Sequence, residues 1–215
     1  MNKSVVVWAA LGGLSWTASE YVIHRFIGHG KSRHMPDKLL QRLTPKGFMA
    51  AFNAEHRAHH TDTTYFAASS HKAGAAAVAI PALTAVLAPI LGVRRACAFA
   101  SGYSVAYGAY EVAHRLVHVA APRTRYGRWM RKHHLDHHHR TPRANHGVTS
   151  ALWDHVFGTN QPAERVRIPR RAAPAWMVDE SGQVRAEFAG DYEIIAERQR
   201  HAAKGEPEAD PMVVS

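Results

Sequence analysis

The sequence predicts an all-α integral membrane protein with about three to four transmembrane helices and a cytosolic, histidine-rich cap that binds metal. Three observations predict it. Long apolar runs recur along the first half of the chain, Lys and Arg gather in blocks beside those runs, and many of the 17 histidines cluster at helical spacing instead of scattering through the 215 residues.

Residues 5–23 are apolar apart from small hydroxyl side chains and Glu20, include Trp8 and Trp16, and are long enough to cross a hydrocarbon layer of about 30 Å. A cleaved signal peptide would show a stronger positive start than Lys3 alone and a clear cleavage site; this run leads into His24 instead. A basic block follows with Arg25, Lys31, Arg33, Lys38, Arg42 and Lys46, interrupted by Pro36 and Pro45. By the positive-inside rule this is the first cytosolic segment, and it leads into a helix carrying His56, His59 and His60. Residues 73–93, uncharged, and 96–113, with Glu111 as their one charge, are separated by Arg94 and Arg95. They read as a transmembrane hairpin with a short outer turn, kinked at Pro81 and Pro89. A buried hairpin in a soluble core is the alternative, but a soluble domain of this size seldom carries three such runs.

With three crossings the amino terminus lies outside, and both basic blocks and the carboxyl terminus lie in the cytosol. From Ala144 to Thr159, turn signals around Asn145 and Gly147 precede a helical face of Val148, Leu152 and Val156. Residues 1–160 are thus expected to form the membrane-embedded domain. Residues 161–215, polar and without a strong period, are expected to form a cytosolic tail, partly disordered.

The densest histidine cluster is His133-His134-Leu135-Asp136-His137-His138-His139, with five imidazoles in seven residues. On a helix, His134, His137 and His138 share one face and can converge on a metal. The same His-x-x-His-His spacing appears at His56, His59 and His60, and a pair four apart at His114 and His118. His24 and His29 come earlier. Residues five apart on an ideal helix point roughly 140° from each other, so this pair needs either a helix that ends near Gly28 and Gly30 or two different metals as targets. Ten candidate ligands exceed what one ion uses, and the arithmetic favours two ions.

The same composition excludes other classes. Cys97 is the only cysteine, which rules out a disulfide framework, a cysteine-rich zinc site and an iron–sulfur cluster held by this chain. The net charge of +10 comes without a nucleic-acid motif, and its blocks beside apolar runs fit membrane topology better. The mean hydropathy of −0.29 averages those apolar runs with His-rich and Arg-rich segments.

Taken together, four elements resemble the fatty acid hydroxylase and sterol desaturase superfamily of membrane di-metal oxygenases. They are Glu20-Tyr21-x-x-His24-Arg25-x3-His29, His56-x2-His59-His60, His114-x3-His118, and His134-x2-His137-His138 followed by Asn145-x-Gly147-Val148 and Trp153-Asp154-x2-Phe157-Gly158-Thr159. The match runs from Trp16 to Thr159. The Gly147-to-Thr159 ending looks most like the fatty acid 2-hydroxylase branch, while the His24 motif is also similar to carotenoid ring hydroxylases. His139 and His146 depart from the family pattern.

The resemblance implies that His24, His29, His56, His59, His60, His114, His118, His134, His137 and His138 bind two metal ions, iron in the active form, with zinc possible as isolated. It also implies O2-dependent hydroxylation or desaturation of an unactivated C–H bond in a lipid drawn from the bilayer, with a carotenoid ring as the alternative substrate. Glu20 and Glu111, four and three residues before a ligand, are candidates to steady an imidazole in its tautomer. For Glu111 an ion pair with Arg115 is the competing reading. Asp154 and Trp153 read as a helix-capping Asp and an interfacial Trp, and His34, His71, His155 and His201 as surface residues. With no haem-binding His-Pro-Gly-Gly segment, cysteine cluster or dinucleotide fingerprint, electrons must come from a separate ferredoxin or cytochrome with its reductase. A histidine-rich metal transporter or sensor is the alternative of another class. It would need ionisable residues along the spans, and residues 73–93 and 5–19 contain none.

Overall fold

The computed structural model describes residues 3–42 and 44–196. Helix α1 (Lys3–Val22) runs directly into a π-helical turn (Ile23–Gly28). A short α2 (Leu39–Arg42) precedes α3 (Pro45–Thr61), which starts on the favourable pairing of an N-capping Thr44, whose hydroxyl accepts from Gly47 N at 3.1 Å, with Pro45 in the first turn.

The apolar hairpin is present as α4 (Ser69–Leu91) and α5 (Val93–Val119), joined through Gly92, whose φ of 78° suits glycine. Both prolines of α4 lie inside the helix. Of the described helices one, over Lys72–Leu91, is long and apolar enough to cross a membrane, with a mean hydropathy of 2.1 and none of it buried. Helices α1 and α5 also expose apolar side chains, among them Val7, Leu14, Val105 and Val112. They pack against each other so closely that a Cβ at Gly12 would meet Phe99 O at 2.0 Å, and one at Gly102 would meet Ala9 O at 1.9 Å. Trp16 fixes the same contact, its ring 4.9–5.4 Å from those of Tyr103, Tyr107 and Tyr110.

Helix α6 (Arg125–His139) begins on Thr124, whose hydroxyl accepts from Gly127 N, and a short α7 (Leu152–Val156) follows. Arg131 ties α6 to the end of α5: its guanidinium donates to the carbonyls of Leu116, Ala120 and Gly127 at 2.7–3.0 Å. The first two lie at the end of α5: Leu116 O also accepts from Ala120 N at 3.1 Å, and Ala120 O lies past the last turn of the helix.

The expectation of a polar tail from residue 161 is corrected for residues 166–195. They fold into β1 (Val166–Pro169) and β2 (Tyr192–Ile195), paired in parallel with Val166 opposite Tyr192, and their connecting segment returns to α6. Val166, Ile168, Trp176, Met177, Phe188 and Tyr192 form one buried core with Met130 and Leu135 of α6 and Val117 of α5. The physical reason is that α6 has two faces: the histidines take one, and this module covers the other. The fold is therefore mostly helical with one small sheet. Residues 197–215, including His201, lie outside the described residues.

Candidate metal centre

The ten histidines meet in two groups of five. His24, His29, His56, His60 and His137 form the first, and His59, His114, His118, His134 and His138 the second; within each, one nitrogen per ring lies within 4.8 Å of all the others. Helix α6 serves both: His137 faces the first group, His134 and His138 the second. Helix α3 divides likewise, with His56 and His60 in one group and His59 in the other.

His24 and His29 reach one group because the helix changes pitch between them. The backbone N–H of His29 donates to His24 O at 3.0 Å, an i to i+5 bond, and this widened turn brings residues five apart towards a common side. Asn53 of α3, fully buried, then holds the turn in place. Its amide donates to the carbonyls of Ile27 and Gly28 at 2.8 and 2.9 Å, and its oxygen accepts from Arg33 N at 2.9 Å.

The donor chemistry fits metal ions. The Nε2 of His29 lies 2.9 Å from that of His137 and 3.0 Å from that of His56; in the second group the Nε2 of His134 lies 3.2 Å from that of His118 and 2.9 Å from that of His138. Neutral imidazoles sharing so few protons bring lone pairs together there, and a cation makes that convergence attractive. The other nitrogen is already engaged on three rings: Nδ1 faces the carbonyl of His146 on His24, of Tyr65 on His59 at 2.8 Å, and of Ala144 on His137 at 2.6 Å. Such contacts leave Nε2 as the atom available to a metal. The Nε2 atoms of His24, His59, His60 and His114 are buried without a hydrogen-bond partner. Burial first, and neighbouring imidazoles second, hold His134, His137 and His138 well below the usual histidine range. They stay neutral, the form that binds metal.

The carboxylates depart from expectation. Glu20, only 4% exposed, accepts from Val148 N at 2.6 Å, Thr149 N at 3.0 Å and the Thr149 hydroxyl at 2.8 Å. It holds a loop and not the His24 ring, since the change of pitch at Ile23 turns His24 towards His146. Glu111 is ion-paired with Lys72 at the start of α4, while the Arg115 guanidinium lies over the Phe66 ring at 5.0 Å. Among the contacts described, Glu111 pairs with Lys72 and with neither His114 nor Arg115; a full positive charge is a stronger partner than a neutral ring, and the Arg115 guanidinium is turned to Phe66. Asp154 is completely buried and accepts from His146 N and Gly147 N, both at 2.8 Å, and from the Thr159 hydroxyl at 2.7 Å, with His133 Nε2 at 3.4 Å. Burial pushes its acidity down, but these donors outweigh it and hold the carboxyl below its ordinary range. It is an organiser of the loop, not a helix cap. Trp153 donates to the Thr17 hydroxyl at 2.9 Å.

Sequence reasoning missed His146 as a neighbour of the site. It is 2% exposed, with its ring 5.4–5.6 Å from those of His24, His29 and His137. Asp136, which accepts from Arg140 and from Asn145 at 2.6–2.8 Å, was missed as well. The only available signal was the density of polar residues beside the histidines. His34 and His155 are exposed, as expected.

Two five-imidazole groups on a mostly helical chain form an arrangement of the histidine-motif type that could hold two metal ions. Residues 9–159 match the fatty acid hydroxylase family, and the chain belongs to it. It is 30% identical over 152 residues to the dihydroceramide fatty acyl 2-hydroxylase FAH2 of Arabidopsis thaliana, covering 70% of this chain and 59% of that protein. It is 28% identical over 165 residues to the ceramide very long chain fatty acid hydroxylase scs7 of Schizosaccharomyces pombe, covering 73% and 43%. The chain thus spans about three fifths or less of these relatives. The solved hydroxylase domain of full-length scs7p shares the fold, with a TM-score of 0.54, 24% identity, and coverage of 77% of this chain and 61% of that one.

Proposed function

We propose that the chain is an O2-dependent di-iron hydroxylase acting on the acyl chain of a membrane lipid at the cytosolic surface of the bilayer. The carrying observation is the pair of converging five-histidine groups beside helices that expose apolar side chains. Family membership and the printed activities of the relatives, fatty acyl and ceramide hydroxylation, support an acyl chain over a carotenoid ring.

In this reading α1, α4 and α5 lie in the bilayer, with the amino terminus outside. Bound iron supplies the redox chemistry that activates O2. The protein's own contribution is to present bare Nε2 atoms from neutral, buried rings, to fix those rings through carbonyl acceptors, and to keep bulk water from the two groups. One oxygen atom enters the C–H bond and the other leaves as water, using two electrons and two protons from an external ferredoxin or cytochrome with its reductase. The basic surface suits an acidic donor.

Lipid profiling of cells expressing the chain, against cells expressing His138→Ala, tests the reaction. Acyl chains gaining one oxygen are expected only with the unaltered protein. Loss of a hydrogen pair instead would make it a desaturase, and an unchanged lipid profile from metal-loaded protein with its donor present would overturn the proposal.

A further inference from the structure

Two of the carbonyls that orient ligand imidazoles come from one short loop, and each belongs to a peptide plane whose N–H is held from the opposite side. The first plane joins Ala144 and Asn145. Its carbonyl faces His137 Nδ1 at 2.6 Å, while its N–H donates to Thr159 O at 2.9 Å. The second joins His146 and Gly147. Its carbonyl faces His24 Nδ1, while its N–H donates to Asp154 Oδ2 at 2.8 Å. A trans peptide is rigid, with N–H and C=O pointing opposite ways, so fixing one end aims the other.

Both planes trace back to Asp154. Its Oδ2 holds the second directly. Its Oδ1 accepts from the Thr159 hydroxyl at 2.7 Å, and its backbone oxygen from Thr159 N at 2.7 Å, which fixes the residue that holds the first. Two local features make the arrangement possible. Asn145 adopts φ 56°, a conformation Asn tolerates, and a Cβ at Gly147 would stand 2.0 Å from Ser150 O and 3.1 Å from Asp154 Oδ2.

We propose that Asp154 is a positioning residue for the first metal group, setting the orientation and tautomer of His24 and His137 through these two peptide planes. The inference rests on the metal reading above and deepens it. His24 and His137 both belong to the first group, so the effect is selective. Glu20 supplies an internal contrast. It clamps the next two amides, Val148 N and Thr149 N, but their peptide planes carry the carbonyls of Gly147 and Val148, neither of which faces a ligand ring among the contacts described. Both carboxylates hold the same loop, and one of them is wired to the metal ligands.

The test is metal retention by the purified, metal-loaded full chain under chelator challenge, comparing Asp154→Asn with Glu20→Gln. An Asn at 154 replaces one of the two acceptor oxygens by an NH2 that can only donate, so the first group should lose affinity roughly ten- to a hundredfold, the range for losing an outer partner of a ligand. The variant should keep one ion where the unaltered chain keeps two, and adding His138→Ala should strip the ion that remains. Glu20→Gln should keep both. If Asp154→Asn does not fold, Thr159→Val, which removes the hydroxyl's links to Asp154 and to the Tyr21 hydroxyl but keeps the backbone ones, should show a smaller loss at the same group. Equal loss from the two carboxylate variants, loss of both ions together, or full retention by Asp154→Asn or by Thr159→Val in its place would overturn the positioning role. An unaltered chain that binds fewer than two ions would overturn the metal reading itself.

Discussion

His134 and His138, one turn apart on α6, bring their Nε2 atoms within 2.9 Å of each other, whereas the adjacent His139 belongs to neither metal group. The helix register therefore assigns neighbouring histidines different fates. His138→Ala should lower metal content and abolish product formation, while His139→Phe should leave the metal in place and change activity modestly. Metal analysis and product formation in the two variants check this; the reverse pattern would mean that the register through α6 is wrong.

Metal retention should fall with acidification. The folded pKa values of the imidazoles lie below the ordinary histidine value, with His29 lowered to about 4, chiefly by burial. The unfolded chain, with histidines titrating near about 6.5, then binds more protons than the folded one as the pH drops. Stability is full above that value; the His29 contribution is lost between it and about 4, the more deeply lowered imidazoles carry the decline to lower pH, and protons displace metal as the pH falls through the same range. Melting temperature and bound metal measured from neutral pH to pH about 4 should fall together; metal retained unchanged across that window would contradict it.

The module after residue 161 should behave as part of the fold. Ile168 is fully buried in the apolar core that includes Met130 and Leu135 of α6. Ile168→Ala is expected to cost about 2–5 kcal/mol of stability, read by denaturant or thermal unfolding. A loose tail would give no change.

That module was the part of the fold least legible in the sequence. Its apolar residues, Val166, Ile168, Trp176, Met177, Phe188 and Tyr192, come in short pieces among charges, and their periodicity becomes meaningful only when the distant strands pair and α6 supplies Leu135 and Met130. The histidine clusters were legible because helical spacing alone puts His134, His137 and His138 on one side. The union of His24 with His29 was open, because it depends on a change of helix pitch that ordinary helical periodicity does not encode. The roles of Glu20, Glu111 and Asp154 were misread for a related reason. Local spacing pointed each of them at a near neighbour in sequence, whereas two bind partners far along the chain, Val148 and Lys72, and Asp154 gathers a loop instead of capping its own helix.

Glu111 offers a direct check on that correction. Because its carboxylate pairs with Lys72 and not with an imidazole, Glu111→Gln should keep both metal ions while lowering stability by less than about 1 kcal/mol, the scale of a partly exposed pair. Loss of metal at unchanged stability would restore Glu111 to the metal site.

The number of bound ions is the most direct measure of the metal centre. Ten imidazoles in two separate groups of five require elemental analysis of the purified, folded full chain to find close to two metal ions per polypeptide; a value reproducibly near one would contradict it.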